Sequence, residues 1–474
     1  MINKVRKKPN ILWILLDACR QDRMSCYGYR KRTTPNLEKI SKESTIFENA
    51  IVNAPWTLPS VSSMFTGLYP SQHGALDWGL KINSNVNTIA EILKGEGYNT
   101  IAIGGAWIPT SRLSRGFRLY EYEKAIFYSL LTQSKSRSKL QVELSKKFII
   151  LRSLFSFFPF IEELNVTLGK NIIKELAKSS EKPFFLYFHL SDTHLPYKPP
   201  VKFQRFNDKK YYFDLPLIKD KLTEGVYKDW IKRRFKQLAG LDEFSDYEFS
   251  LLNQLYDSSV YYVDYQIGEY LDVLDVIGVL DQTMVIITAD HGENIGDHGL
   301  IDHQNSLHDT LLKVPLIIRY PQLFPGGKRI KGQVELKDIF YTILDVINHP
   351  PPDSKISNSF LRYAIENKGR KYVFGEYYTP EIVIKAQKTY FPEKPISTYS
   401  CFIREKNFKY ILHNDGKEEF YSLKNGEKKV SPKDFLNEFL TMKKRLFEWR
   451  TEINMEKRKE IKEKINRLKR LGKL

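Results

Sequence analysis

The stretch Asn10-Ile11-Leu12-Trp13-Ile14-Leu15-Leu16-Asp17 decides the fold class of this chain. Its unbroken apolar run, Ile11 to Leu16, has the length of one strand and is typical of a strand buried on both faces. Similar runs alternate with predicted helices, which indicates an α/β fold with a large, mostly parallel sheet flanked by helices. The other apolar runs occupy 183–190, 284–288 and 314–319, and the predicted helices occupy 35–44, 60–66 and 87–95.

Chemically capable side chains follow three of these predicted strands. Asp17 follows the first strand, the segment 189–194 ends another, and Asp290-His291 ends a third. In open parallel sheets, ligands bind beyond the carboxyl ends of the strands. The three segments are therefore expected to converge on one site.

The pair Asp290-His291 is a candidate metal site. A carboxylate and an imidazole at consecutive positions can both face one ion if the backbone bends, and Gly292 permits such a bend. Asp17 would add a second hard oxygen ligand. The alternative for the pair alone is an ordinary turn with a surface histidine.

Thr57 is the candidate nucleophile. It stands just before the predicted helix 60–66, whose amides and dipole favour an oxyanion, and a metal ion can activate its hydroxyl. The alternative is a helix cap.

Histidines are concentrated near the candidate metal pair. Four of the nine lie between 291 and 308: His291, His298, His303 and His308. Upstream, His189, Asp192 and His194 follow a predicted strand and could bind an ester oxygen or a metal. The alternative for any one of them is a buried core histidine.

Five sequence blocks, in the same order, resemble the sulfatase family of the alkaline phosphatase superfamily over roughly the first 350 residues. The resemblance implies a mixed, mostly parallel sheet, a small C-terminal α+β domain with an antiparallel sheet, and a divalent metal. The blocks are 10–17 (NILWILLD), 26–37 (CYGYRKRTTPNL), 58–74 (LPSVSSMFTGLYPSQHG), 288–293 (TADHGE) and 314–319 (VPLIIR), with a later match at 403–423.

Four positions depart from the family pattern. Thr57 replaces the cysteine or serine that becomes formylglycine, Val61 replaces an arginine, Gly105 replaces a lysine, and Ala18 replaces a second aspartate. The remaining residues resemble a threonine-nucleophile branch that includes phosphodiesterases, phosphonate monoester hydrolases and phosphoglycerol transferases.

This resemblance implies roles for individual residues. Asp17, Thr57, Asp290 and His291 would bind Mn, Zn or Mg, with Ca also compatible, and Thr57 would attack the ester. His194 would hold a nonbridging substrate oxygen, and His303 would act near the leaving group. A two-metal version with Asp192, His194 and His303 as second-site ligands stays open.

The predicted function is a metal-dependent hydrolase or transferase acting on phosphate, phosphonate or sulfate esters. Its partner would be an anionic small-molecule, sugar or lipid ester. One alternative is a sulfuric ester hydrolase proper. The other is a catalytically weak relative that binds an anionic polymer or a membrane.

Length and charge complete the prediction. The 474 residues carry a net charge of +18 and three cysteines, with no apolar stretch of about 20 residues, which favours a cytoplasmic protein. Three regions are predicted: a catalytic domain at 1–350 with a helical insertion near 123–180, a small domain at 351–440, and a tail at 441–474. The tail has thirteen Lys/Arg against five Asp/Glu, a net of +8, and apolar residues at helical spacing. It would pack on the body, pair with another subunit, or contact anionic lipid or nucleic acid, although no nucleic-acid motif accompanies it.

Overall fold

The computed structural model describes most of the chain. The described residues are 8–104, 111–120, 160–178, 182–206, 233, 236–237, 242–303, 306–352, 359–390 and 397–470.

Sixteen strands occur in the described residues. They are β1 (Asn10–Leu16), β2 (Thr45–Ile51), β3 (Asn99–Ile103), β4 (Arg118–Tyr120), β5 (Phe184–Leu190), β6 (Thr283–Ala289), β7 (Asn294–Ile295), β8 (Ile301–Asp302), β9 (Lys313–Val314), β10 (Leu316–Arg319), β11 (Lys328–Glu335), β12 (Val373–Tyr378), β13 (Tyr399–Arg404), β14 (Phe408–His413), β15 (Glu418–Ser422) and β16 (Lys428–Lys429).

The α-helices of the same residues are α1 (Pro35–Ile40), α2 (Thr57–Thr66), α3 (Pro70–His73), α4 (Ile89–Gly95), α5 (Phe160–Lys178), α6 (Asp246–Val276), α7 (Asp309–Leu312), α8 (Asp338–Val346), α9 (Phe360–Glu366), α10 (Glu381–Tyr390) and α11 (Leu436–Arg470). Among the helices that the structure describes, none is long and apolar enough to cross a membrane.

The main sheet has nine strands in the order β11-β2-β10-β6-β1-β5-β3-β4, with β9 pairing β2. β1 lies between β5 and β6 and runs parallel to both. All six residues from Ile11 to Leu16 are buried, as expected for a central strand with helices on both faces. β10 is antiparallel to its neighbours β6 and β2, so the sheet is mixed. The predicted fold class is confirmed.

The register of the central strands places the candidate site. Leu16 pairs with Leu190 on β5 and with Ala289 on β6, so all three strands end at one edge of the sheet. The next residues, Asp17 and Asp290, therefore emerge side by side.

The C-terminal part forms a separate antiparallel sheet in the order β12-β13-β14-β15-β16. α11 packs on it through a second hydrophobic core that includes Met442, Leu446, Trp449 and Ile453. The predicted small C-terminal sheet is thus present, and the tail helix begins at Leu436, before the predicted boundary at 441. Of the predicted insertion, only the helix α5 lies within the described residues.

Candidate active site

Two buried aspartates form the floor of the site. Oδ1 of Asp290 accepts hydrogen bonds from the backbone N–H of Ala18 (3.1 Å) and of His291 (2.9 Å). Oδ2 of Asp290 and Oδ1 of Asp17 are buried and have no hydrogen-bond partner. A buried carboxylate oxygen without a donor is costly, and a cation between the two oxygens would offset that cost.

His291 turns one ring nitrogen toward these oxygens. Its Nδ1–H donates to the carbonyl of Gly292 (2.8 Å), which leaves Nε2 facing the site. Nε2 lies 3.6 Å from Oδ1 of Asp17 and 3.5 Å from Oδ2 of Asp290. Burial lowers the pKa of His291 well below its ordinary value, so the ring stays neutral and keeps a lone pair for a ligand.

Gly292 holds this turn for a reason other than the one expected. A Cβ at this position would lie 1.9 Å from the carbonyl oxygen of Thr310. Its backbone N–H also donates to the carbonyl of Leu311 at 2.9 Å. The glycine is therefore required for close backbone packing rather than for an unusual bend.

Thr57 is the first residue of α2, after Trp56 in an extended conformation. The helix starts three residues earlier than the predicted Ser60, so Thr57 lies in its first turn. The hydroxyl oxygen of Thr57 does not cap the helix; it lies 3.1 Å from Nε2 of His291. The nucleophile candidate thus faces the metal candidates at the positive end of a helix dipole.

The donor set of Asp17, Asp290 and His291 fits a divalent cation. One ligand atom from each of the three residues lies within 4.8 Å of the others, and all three side chains are buried. Burial and the adjacent Asp17 carboxylate raise the pKa of Asp290 to about 8. A bound cation would remove that conflict between two carboxylates. Two hard oxygens and one imidazole suit Mn, Zn or Mg.

His189 supports the first aspartate. Its Nε2–H donates to Oδ2 of Asp17 (2.9 Å), and the Tyr187 hydroxyl lies 3.0 Å from its Nδ1. Burial alone would lower the pKa of His189, but the bond to Asp17 and its charge raise it above the ordinary value. The sequence left three uses open for His189, namely an ester oxygen, a metal or a buried core position. Its supporting role depends on a contact between residues of two strand ends.

His303 lies against the same site, with its ring centroid 4.3 Å from that of His291. Its Nδ1 is 2.7 Å from Oδ1 of Asp302 and 3.2 Å from Oε1 of Glu293. Both carboxylates are buried, so they fix the ring and leave Nε2 for the site. Only the nearness of the three residues in the chain could have indicated this contact.

The side chains of His194 and Asp192 lie in different surroundings. The Nδ1–H of His194 donates to the carbonyl of Leu195 (2.5 Å), and its ring lies 4.9 Å from that of His303. Oδ2 of Asp192 instead accepts a hydrogen bond from Nε2 of Gln266 on α6 (2.9 Å). The structure thus brings His194 to His303 and leaves Asp192 outside that group.

Two further groups in the described residues could hold a metal. The first consists of His303 and the two carboxylates described above, those of Glu293 and Asp302. The second is His298, His308 and Glu427, where the two rings stack at 3.7 Å. Glu427 there already binds Nζ of Lys409 at 2.5 Å, so this group is an ion-pair cluster.

That cluster joins the C-terminal sheet to the segment around His308. Arg404 on β13 binds Asp309 at 2.8 Å, and Nζ of Lys409 on β14 binds the carbonyl of Leu307 at 2.6 Å. Glu427 accepts the backbone N–H of Asp309 at 2.6 Å. The loop that follows His303 is therefore fastened by the small sheet.

The departures noted in the sequence are visible around the site. Val61 is buried in α2, where it offers no charge. Ala18 has a positive φ of 59°, and its N–H is the donor to Asp290. Gly105 lies outside the described residues.

The family model described as Sulfatase matches residues 9–349. The chain belongs to the sulfatase family. It is a hydrolase of that family, and its relatives in sequence include enzymes named as arylsulfatases.

Individual relatives extend over nearly the whole length of this sulfatase-family chain. An arylsulfatase of Clostridium perfringens is 27% identical over 455 residues, covering 87% of this chain and 91% of the relative. An N-acetylglucosamine-6-O-sulfatase of Bacteroides thetaiotaomicron is 23% identical and covers 88% and 81%.

Among solved structures, a phosphonate monoester hydrolase of Agrobacterium radiobacter superposes with a TM-score of 0.73 at 20% identity, covering 94% of this chain and 96% of its own. At that identity the likeness concerns the fold. It agrees with the mixed sheet and the C-terminal antiparallel sheet described above.

Proposed function

We propose that this protein is a metal-dependent ester hydrolase that attacks a phosphate or phosphonate ester with the hydroxyl of Thr57. The observation that carries the proposal is the 3.1 Å separation between Oγ1 of Thr57 and Nε2 of His291, beside the unpartnered oxygens of Asp17 and Asp290. A nucleophile, a cation-binding set and a helix N-terminus thus meet at one point.

Asp17, Asp290 and His291 would hold the metal, with the Thr57 hydroxyl at its open position. A divalent ion there lowers the pKa of a nearby hydroxyl and neutralises charge that develops on the ester.

The protein's own side chains supply the rest of the reaction. The hydroxyl of Thr57 would lose its proton to solvent, and its Oγ1 would form a bond to phosphorus as the bond to the leaving oxygen breaks. His303, held at Nδ1 by two carboxylates, would give the Nε2 proton to that leaving oxygen. Water would then attack the phosphothreonine and give one proton to His303, while the bond from phosphorus to Oγ1 breaks and the threonine oxygen takes a proton back from solvent. The ring centroid of His194 lies 4.9 Å from that of His303, a position from which His194 would donate to a nonbridging oxygen of the ester.

Threonine in place of cysteine or serine supports phosphorus over sulfur, because threonine lacks the known route to formylglycine. Val61 supports the same choice, since it removes a cation that would bind sulfate. The second candidate, a sulfuric ester hydrolase, is supported by relatives named as arylsulfatases. Relatives named for sulfated sugars also favour an anionic sugar ester as the substrate class.

The test is a substrate and metal matrix. The purified protein is stripped of metal and assayed with p-nitrophenyl phosphate, bis-p-nitrophenyl phosphate, p-nitrophenyl phenylphosphonate and p-nitrophenyl sulfate, with Mn, Zn, Mg or Ca added back singly. Cleavage of a phosphorus ester that needs metal and disappears in Thr57→Ala is expected.

Two outcomes would contradict the proposal. Faster turnover of the sulfate ester would favour the second candidate, a sulfuric ester hydrolase. Undiminished activity in Thr57→Ala, with folding confirmed by circular dichroism, would remove Thr57 as nucleophile.

A further inference from the structure

The long C-terminal helix α11 has two apolar faces. One face, with Met442, Leu446, Trp449 and Ile453, packs on the small sheet and is buried. On the other side, Leu436, Leu440 and Phe447 are 53%, 52% and 45% exposed. Their spacings of four and seven residues place them along one line of the helix, which we call the outer stripe.

The outer stripe differs from scattered surface apolar residues. Of the other exposed large hydrophobic residues in the described parts of the chain, Trp78 and Leu80 share one loop, and the rest lie on separate elements, such as Val276 at the end of α6 and Ile365 on α9.

The helix that carries the outer stripe has an excess of basic residues. Lys444 and Arg445 precede Phe447, with side chains 78% and 57% exposed, and both pair with Glu448. The segment 441–474 carries thirteen basic against five acidic residues, a net of +8, within a chain of net +18. An apolar line with a basic border on one helix is the pattern of a helix that lies in a lipid–water interface.

We infer that the outer stripe binds an anionic lipid surface. The helix lies parallel to the bilayer, with Leu440 and Phe447 in the acyl boundary and the lysines and arginines at the headgroups. A second copy of the chain fits the outer stripe less well, because two such helices would bring together two segments of net +8. Anionic headgroups neutralise the same charge.

The buried face of α11 attaches the helix to the rest of the protein. The ring of Trp449 stacks on that of Phe374 of β12, with the ring centroids 5.0 Å apart. Its centroid also lies 5.0 Å from that of Tyr69, the residue before α3. The helix is thus fixed to the body of the protein on one side while the outer stripe stays open. Lipid contact would therefore hold the folded enzyme at the surface without rearranging it.

Vesicle co-sedimentation of the full chain tests this inference. The probes are phosphatidylcholine vesicles and vesicles of mixed phosphatidylcholine and phosphatidylglycerol. We expect binding to the mixed vesicles that weakens with salt, and about tenfold weaker binding by the double variant Leu440→Asp, Phe447→Asp. The matched control is Val276→Asp, Ile365→Asp, which makes the same charge change at exposed apolar residues elsewhere and should bind like the wild type.

Each other outcome overturns the inference. Absence of binding to mixed vesicles, or equal binding by both double variants, excludes the outer stripe as a lipid site. A wild-type dimer by light scattering that the stripe variant dissociates assigns the surface to a second copy. RNA binding as tight as vesicle binding, and equally weakened by the stripe variant, assigns it to polyanions. Hydrolysis of a soluble ester should stay unchanged in both double variants, so this test is independent of the proposed function.

Discussion

The hydroxyl oxygen of Thr57 lies 3.1 Å from Nε2 of His291, although the two residues are 234 positions apart in the chain. The contact joins the first turn of α2 to the residue pair that follows β6. It places the candidate nucleophile at the open side of a buried donor set.

Turnover should depend on the hydroxyl of Thr57 rather than on the shape of its side chain. Thr57→Ser keeps an oxygen at the site and should retain a measurable fraction of turnover, whereas the near-isosteric Thr57→Val should lose at least about 1000-fold in kcat. Steady-state kinetics of both variants on the best phosphorus ester provide the comparison. Similar rates for the two variants would show that the hydroxyl takes no part.

His189 should control metal affinity without touching substrate. His189→Ala removes the donor to Oδ2 of Asp17 and should weaken metal binding about 10- to 100-fold. Titration of metal into the stripped protein, followed by thermal shift, measures this effect. Tyr187→Phe removes only the outer hydroxyl and should have a smaller effect; excess metal should restore turnover in both.

Glu293 and Asp302 should act through His303. Glu293→Gln and Asp302→Asn weaken the hold on Nδ1, so the loss of rate should be greater for esters with poor leaving groups than for those with good ones. A series of substituted phenyl esters measures the dependence of rate on leaving-group pKa. Asp302 has a φ of 69°, which asparagine also tolerates, so the second variant should fold.

A loss that is equal across that series would contradict a link to the leaving group. It would leave the two carboxylates a structural role alone.

Gly292 and Gly95 offer a matched pair for stability. Gly292→Ala would bring a methyl group against the Thr310 carbonyl and should destabilise the protein by at least about 2 kcal/mol. Gly95 is the last residue of α4, and an added Cβ there meets nothing within 4 Å. Gly95→Ala should be neutral or stabilising by up to about 1 kcal/mol. Urea denaturation of both variants measures the difference.

His73 should contribute to loss of stability in acid. Burial lowers its pKa to about 3, whereas the unfolded chain takes up the proton near 6.5. Between these values the unfolded state binds more protons, so this histidine makes the free energy of unfolding fall as the pH falls, by at most about 1.4 kcal/mol per pH unit.

The variant His73→Gln isolates this effect. It costs stability at pH 7, since His73 bonds Ser63 and Ala75, but its free energy of unfolding should fall less steeply from pH 6.5 to 4. Denaturation at several pH values gives the two slopes. Parallel slopes would show that His73 is protonated equally in both states.

Much of the fold was predictable because its signal is local. The run Ile11 to Leu16 has one plausible use, a central strand, and Asp17 and Asp290 follow from the ends of parallel strands. The antiparallel direction of β10 was not predictable from its own residues, because an apolar strand has no directional mark. The helix predicted from Ser60 begins instead at Thr57, with Pro59 in its first turn, where proline is tolerated.

The support around the site was hidden for a different reason. His189 meets Asp17, and Asp192 meets Gln266, only because of how β1, β5 and α6 lie in space. Residue types and spacing indicated which side chains could do chemistry. They did not indicate which of these would serve as ligands and which as supports.

The ion pairs of Arg404 and Lys409 with Asp309 set an order on the making of this protein. A ribosome releases α2 and both aspartates well before it reaches β13 and β14. Until those strands fold, the segment that begins at Ser306 lacks these ion pairs, and the side of the site that carries His303 stays unfinished. A nascent chain of this architecture would therefore complete the site only after β13 and β14 have been synthesised.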